Sequence, residues 1–455
     1  MIERFLDIGV LEIIAKLKNK QISVMDITMN CIAQIEKYDH KYKVWEFFDP
    51  DILIAQAKKS KEYIEHNNQN RTIEGIPVGV KDIFNTMDFP TQMGSPIWKN
   101  FNPGNDARVL YHIKDNGGII PGKTVTAEFG VHYLGETLNP HNSMLTPGTS
   151  SSGSAVAIAT GMVPFSIGTQ TAGSIVRPAS FCGIYGCKPS FGLIPRTGML
   201  KTTDSLDTIG FFAAHYEDLG LFFNILRVHG PNYPFSNTAL DDASRQEKPM
   251  NRPWKVVFAK THTWQYAPDY AKKDLTKWLE GISRLKEYEV EEIELPGSMK
   301  YSHEIHSILY DKTLSYYFKE EAKQKKLISP IMNKIVERGY GISLKKYLQA
   351  LENQCEMVDD MDNFMSKYEI VISLSTAGEA PLRETEELPD PALMWNMTYL
   401  PVISAPVFVS PDNNPFAIQI VARRYNDKLL FKFTDSLREK GFIPKGLNPK
   451  LPKFN

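Results

Sequence analysis

The chain has 455 residues, enough for two or three domains of roughly 100–200 residues or for one large α/β unit with a sizeable core. Its 52 Lys and Arg against 53 Asp and Glu leave a formal charge of -1, so neither a basic field for nucleic acid or anionic lipid nor an acidic tail is present. At 42% hydrophobic and 11% aromatic residues the composition excludes disorder, and no apolar run reaches the roughly 18 residues that a membrane helix needs.

The opening Met1–Lys20 is interrupted by charge at every turn, which argues against a signal peptide or span and makes the cytoplasm the expected location. Apolar spacing at Leu6, Val10, Ile13, Ile14 and Leu17 predicts a helix. A second, around Met25 to Lys37, starts at Ser23 or Asp26, so residues 1–65 read as a helical lead-in. From Gly75 to about Pro195, β-rich runs such as IPVGV and GGIIPGK alternate with helix-like stretches such as DARVLYHIKDN, which favours an α/β sheet protein. The stretch from Gly230 to Pro253, with its Pro, Asn and Asp, reads as a loop or linker. Beyond it the pattern predicts a strand at WKVVFAK, a helix from Tyr270 to Lys286, a strand near VEEIEL, helices through 302–366, and strands at EIVISL and FAIQIV. With no internal repeat, one extended α/β domain is expected.

Several motifs point away from function. Gly117–Thr124, GGIIPGKT, matches the phosphate-loop pattern, but a helix precedes it where a strand should, and no apolar strand ending in a magnesium-binding Asp follows. His303 and His306 in HEIH are too closely spaced for an i, i+4 zinc pair and read as surface histidines. Cys182 and Cys187 lack a second ligand pair and read as buried thiols. The sequons at Asn70 and Asn396 matter only in a secreted chain.

The informative stretch is Thr146–Gly192, where Gly and Ser are interleaved with apolar runs that belong in a core rather than a linker. It holds no G-x-S-x-G elbow, so an activated serine here needs a base other than a positioned histidine. Four ordered segments carry a family resemblance: GIPVGVKDIF with Lys81, GGIIPGKTVTAEFG, GTSSSGS, and GTQTAGSIVRPASFCGIYGCKPSFG. Together they resemble the amidase signature family, strongly over 75–195 and more loosely over 371–421.

The resemblance implies one large domain over 66–455, a central mixed twisted sheet of many strands covered by helices on both faces. It implies Lys81 as base, Ser150 as bridging serine and Ser174 as nucleophile, the two serines 24 residues apart as in the family (174 minus 150). Backbone N–H groups of Thr171, Ala172, Gly173 and Ser174 correspond to the family's oxyanion loop, and a cis peptide is implied at Gly148–Thr149. The activity implied is hydrolysis of a linear carboxylic amide through an acyl-enzyme, with no metal and no cofactor. Transfer of the acyl group to an amine and a glutaminase-type amidotransferase subunit stay as alternatives, as does a homodimer. Gln170 stands where many members have Asp, Ala172 where they have Gly, and the arginine sits at 177, after Val176.

A serine hydroxyl attacks only when a base takes its proton. For Lys81 to serve at pH 7 its pKa must fall by roughly three units from about 10.4, a cost of about 4 to 5 kcal/mol that burial can impose. Specificity is expected in residues 200–400, with Tyr310, Tyr316 or Tyr317 as pocket candidates, although an aromatic stripe at this spacing also suits a core. Glu379 and Arg383 sit in a loop resembling the one beside the family's site, where Arg383 could bind a substrate carboxylate. Turnover is therefore expected to survive a chelator and to need no nucleotide; loss in EDTA that zinc or magnesium restores would overturn this mechanism.

Overall fold

The computed structural model describes residues 4–230, 232–385 and 388–448. Within them eleven strands make one mixed sheet: β1 (Trp45–Phe48), β2 (Val78–Lys81), β3 (Gly122–Thr124), β4 (Phe165–Gln170), β5 (Tyr185–Lys188), β6 (Thr208–Ala213), β7 (Trp254–Phe258), β8 (Tyr288–Glu292), β9 (Ile370–Leu374), β10 (Val402–Val409) and β11 (Pro415–Ala422). Their order across the sheet is β1-β3-β2-β4-β6-β5-β10-β11-β9-β7-β8. β2 runs parallel to β3 and β4, as β7 does to β8 and β9, and the middle of the sheet from β4 to β9 is antiparallel.

Every residue of β2, β4, β5, β6, β9 and β11 is buried. Successive side chains point to opposite faces of a sheet, so such strands require cover on both sides. Part of that cover is the wholly buried helix Ser152–Ala159, which carries no polar residue longer than serine, and helix Val176–Cys182. At the edge, β8 exposes glutamates along YEVEE, which discourages pairing with another chain.

The predicted second helix is Val24–Tyr42, and a capping box fixes its start: Ser23 Oγ accepts from Asp26 N while the Asp26 carboxylate accepts from Ser23 N. Two expectations need correction. The lead-in contains the short β1, whose WEFF is too brief to stand out between helices. The expected linker holds helices Pro234–Asp241 and Ala243–Gln246. In that segment Asp242 is an N-cap, its carboxylate accepting from Ser244 N, and buried Gln246 Nε2 donates to Ala239 O and Tyr425 O. The thiols of Cys31, Cys182 and Cys187 are buried, as expected for the last two, while Cys355 is exposed.

The GKT of the phosphate-loop match is strand β3 itself, and its lysine faces inward. Lys123 Nζ donates to Phe84 O (2.8 Å), Thr91 Oγ1 (2.8 Å) and Pro90 O (3.1 Å), and lies 3.0 Å from Asp82 Oδ1 with both side chains inaccessible. Gly122 lets β1 approach, since a Cβ there would sit 2.0 Å from Phe47 O. Gly122→Ala must push β1 off the sheet edge, so a loss of about 1–3 kcal/mol is expected in denaturant titration. An unchanged midpoint would show that β1 adds nothing to the fold.

Candidate active site

Lys81 closes β2, and the four buried residues of that strand carry its amine into the interior. Its Nζ meets three hydroxyls: Ser150 Oγ at 2.7 Å, Thr169 Oγ1 at 2.9 Å and Ser151 Oγ at 3.1 Å. Burial pushes the amine from its usual value down to about 7, against the opposing pull of the Asp207 charge. A neutral amine has two N–H groups and one lone pair, and hydroxyls can both accept and donate, so this shell satisfies either protonation state.

Ser150 lies in the 3-10 turn Thr149–Ser151 that leads into helix Ser152–Ala159. The expected cis peptide is not found: peptide bonds among the described residues are trans, and the chain reverses through two left-handed residues, Gly148 (φ 100°) and Thr149 (φ 70°). At Gly148 a Cβ would fall 2.5 Å from Pro178 Cα; at Thr149 the left-handed conformation costs a non-glycine residue about 1–2 kcal/mol. Thr126 Oγ1 donates to Ser150 O at 2.8 Å and pins the turn. Below it, Ser154 Oγ donates to Ile167 O (2.9 Å) and Ser166 Oγ to Ser154 O (2.7 Å), fastening the helix to β4.

Ser174 sits on the loop between β4 and helix Val176–Cys182 and is 7% exposed. Gln170 brackets this loop, its Oε1 accepting from Ile175 N and Val176 N at 3.0 Å each. Acceptance is all these N–H groups require, which is why an amide can stand where a carboxylate is common. Thr171 O accepts from Asn396 Nδ2 (2.8 Å) and His306 Nε2 (3.1 Å), and Thr171 Oγ1 donates to Asp207 Oδ1 (2.8 Å). Gly173 is required because a Cβ would strike Asp390 Oδ2 at 1.8 Å, and that carboxylate pairs with Arg177 Nη1 at 3.1 Å. The N–H groups of Ala172, Gly173 and Ser174 donate to no acceptor among the described residues. The fold thus joins Lys81 to Ser150 directly, while no hydrogen bond links Ser150 to Ser174 among the described residues.

Sequence reasoning missed Ser151, Thr169, Thr126, Asn396 and Asp207 as site residues; the first three lie within the four quoted segments, whereas Asn396 and Asp207 lie outside them. It also misplaced His306, which is buried, stacked on Tyr310 (ring centroids 5.2 Å apart) and pushed by burial down to about 3. His303 Nδ1 meets His262 Nε2 at 2.8 Å. Of the tyrosines, Tyr310 is buried, Tyr316 is exposed, and Tyr317 OH donates to Asp204 Oδ2 (2.7 Å). Arg383 is engaged by its own chain, its guanidinium donating to Thr137 O (2.5 Å) and Gly135 O (3.0 Å), and Glu379 accepts from Ser410 Oγ and Asn414 Nδ2.

One broad mixed sheet that carries a buried lysine and hydroxyl cluster at the end of β2, and a loop after β4 in which Gly173 leaves no room for a Cβ, defines an α/β protein. The chain belongs to the Amidase family, whose model matches residues 26–431. It is 26% identical to the A subunit of glutamyl-tRNA(Gln) amidotransferase from Staphylococcus epidermidis (strain ATCC 35984 / RP62A), over 91% of this chain and 93% of that one. Identity is 28% to the same protein of Orientia tsutsugamushi (strain Boryong), over 95% and 97%. Among solved structures, the peptide amidase of Stenotrophomonas maltophilia superposes with a TM-score of 0.82 at 19% identity, over 97% of this chain and 99% of that one. A bacterial aryl acylamidase of the amidase signature family gives 0.82 at 18%, over 96% and 97%.

Lys81 and Lys188, both fully buried, are each lowered by burial to about 7. Above that value the unfolded chain holds protons that the folded chain has released, so stability should rise with pH from about 7. The rise should continue to about 8.5, where thiols begin to ionise in the unfolded chain and Cys31, Cys182 and Cys187, held protonated by burial, oppose it. Each lysine contributes up to about 1.4 kcal/mol per pH unit. Urea titrations at both ends of the window should show a smaller slope for Lys81→Met; an identical slope would mean that Lys81 is charged in the folded protein.

Proposed function

We propose that the protein cleaves the C–N bond of a carboxylic amide through an acyl-enzyme on Ser174, with Lys81 as base and Ser150 as the relay between them. The observation that carries the reading is the inaccessible Lys81 amine, lowered to about 7 and 2.7 Å from Ser150 Oγ. Ser150 passes a proton to Lys81 as it takes one from Ser174, and Ser174 Oγ bonds to the carbonyl carbon. The proton returns through Ser150 to the leaving nitrogen as the C–N bond breaks, and water then hydrolyses the ester. The Ala172, Gly173 and Ser174 N–H groups, with that of Thr171, are the donors proposed for the oxyanion. The substrate is a small-molecule amide, and the location expected is the cytoplasm.

A second reading is favoured by the curated relatives, which are named as amidotransferase subunits and align over nine-tenths or more of both chains. On this reading the chain is a glutaminase-type subunit, its amide substrate glutamine, that works with partner chains. The two readings share the Ser174 chemistry and part at the substrate.

Purified protein should be labelled by a fluorophosphonate at Ser174 and should release ammonia or amine from amides. Ser174→Ala should lower turnover at least about 10³-fold while remaining folded, and Lys81→Ala should cost more than Ser150→Ala, which water can partly replace. Lys81→Arg should not rescue, since a guanidinium stays protonated. Because the base must be unprotonated, acylation should rise about tenfold per pH unit below about 7 and level off above it. An active Lys81→Arg with an unchanged profile would remove Lys81 from the mechanism. Glutamine turned over only with a partner complex present, and no simple amide turned over alone, would favour the amidotransferase reading.

A further inference from the structure

Residues 202–207 form a tight knot on the loop leading into β6. Its centre is Asp207, 2% exposed, whose carboxylate accepts five hydrogen bonds. Oδ1 takes the hydroxyls of Thr202 (2.6 Å), Thr171 (2.8 Å) and Thr203 (3.0 Å), while Oδ2 takes the N–H groups of Thr202 (2.8 Å) and Thr203 (3.0 Å). Among the described residues no cation pairs with this carboxylate; it is solvated entirely by dipoles. Four of the five donors belong to its own loop. The fifth, Thr171 Oγ1, belongs to the loop that carries Ser174.

We infer that Asp207 is a positioning residue for the reaction, acting without touching substrate, by holding the Thr171–Ser174 loop through Thr171 and by placing a buried negative charge close to Lys81. The inference rests on the acyl-enzyme reading above. Thr171 is clamped on both sides, its carbonyl by Asn396 and His306 and its hydroxyl by Asp207, so its peptide planes are set before a substrate arrives. Donors that point at a developing oxyanion must be fixed in advance, and a shift of about 1 Å costs on the order of a hundredfold in rate.

The charge has a separate consequence. Lys81 meets only hydroxyls, among them Thr169 of β4. Thr208 of β6 pairs with the next residue of β4, Gln170, so Asp207, just before Thr208 and bonded to Thr171, stands beside this end of β4, and its charge favours the protonated amine against burial. The other ionisable groups around the site are already engaged. Asp82, next in the chain, is paired with Lys123. Glu128, on the turn whose Gly130 approaches Lys81 Nζ, accepts from Ser329 N. Asp390 is paired with Arg177, and on helix Ser302–Tyr317 His306 is bonded to Thr171 O, with Tyr310 stacked on it.

The test uses a fluorophosphonate as probe and reads its labelling rate at Ser174 against pH, so that no substrate need be known. Thr171→Val removes only the link and should slow labelling about tenfold or more with the midpoint unmoved. Thr171→Ser should recover much of what Val loses. Asp207→Asn should slow labelling and also move the midpoint to lower pH, because the group that favoured the charged amine has gone. A residue that only supported the fold would lower the rate with no change of midpoint. Wild-type labelling with Thr171→Val at the wild-type rate, or a folded Asp207→Asn with an unmoved midpoint, would overturn the inference while leaving the acyl-enzyme reading standing. Should Asp207→Asn fail to fold, the two Thr171 variants decide. Wild-type protein that is not labelled at Ser174 would sink the acyl-enzyme reading itself.

Discussion

The site depends on one arrangement: an amine enclosed on every side, in contact with hydroxyls and with no carboxylate bonded to it. The enclosure depends on the sheet. β2 sits between β3 and β4, all of its residues buried, and Lys81 ends it where the Ser150 turn and Thr169 of β4 converge. Remove any of these neighbours and either water reaches the amine or its hydroxyl shell is broken.

Three fully buried lysines show that burial alone does not make a base. Lys123 is paired with Asp82 and donates to carbonyls and a threonine. Lys188 donates to Leu400 O (2.6 Å) and Pro189 O (3.3 Å) and is lowered to about 7, as Lys81 is. Carbonyls and carboxylates only accept, so they can hold a lysine but cannot hand it a proton. Only the Lys81 shell is made entirely of groups that both accept and donate. Partner chemistry, more than the depressed pKa, sets Lys81 apart.

The serine-rich segment is equally divided. Ser154 and Ser166 satisfy buried polar groups and fasten a helix of small residues to β4, which permits the close approach that a leucine-rich helix would block. Ser150 and Ser151 face Lys81. The loop after β4 is held by side chains that bond its carbonyls, its threonine hydroxyl and the helix start, leaving the N–H groups between them unspent.

Much of this was legible in the primary structure. Alternating periodicity gave the α/β class, and the four ordered segments gave the family and singled out Lys81, Ser150 and Ser174. Those features are local, a matter of residue type and spacing, and they survive in one dimension. The short β1, the two helices of 232–251 and the buried setting of His306 were not legible. Four residues are too few to show a period, caps look like turns, and a histidine is buried only when another loop comes to cover it. Asp207 and Asn396 reach the site from distant parts of the chain and from no recognisable pattern, while Thr169, inside one of the four segments, meets Lys81 only because β4 lies beside β2. The sequence by itself determined which groups could do chemistry. The tertiary structure decided which hydroxyls face the amine, because burial and hydrogen-bond geometry arise only when β2, β4, the Ser150 turn and the loop before β6 are brought together in one core.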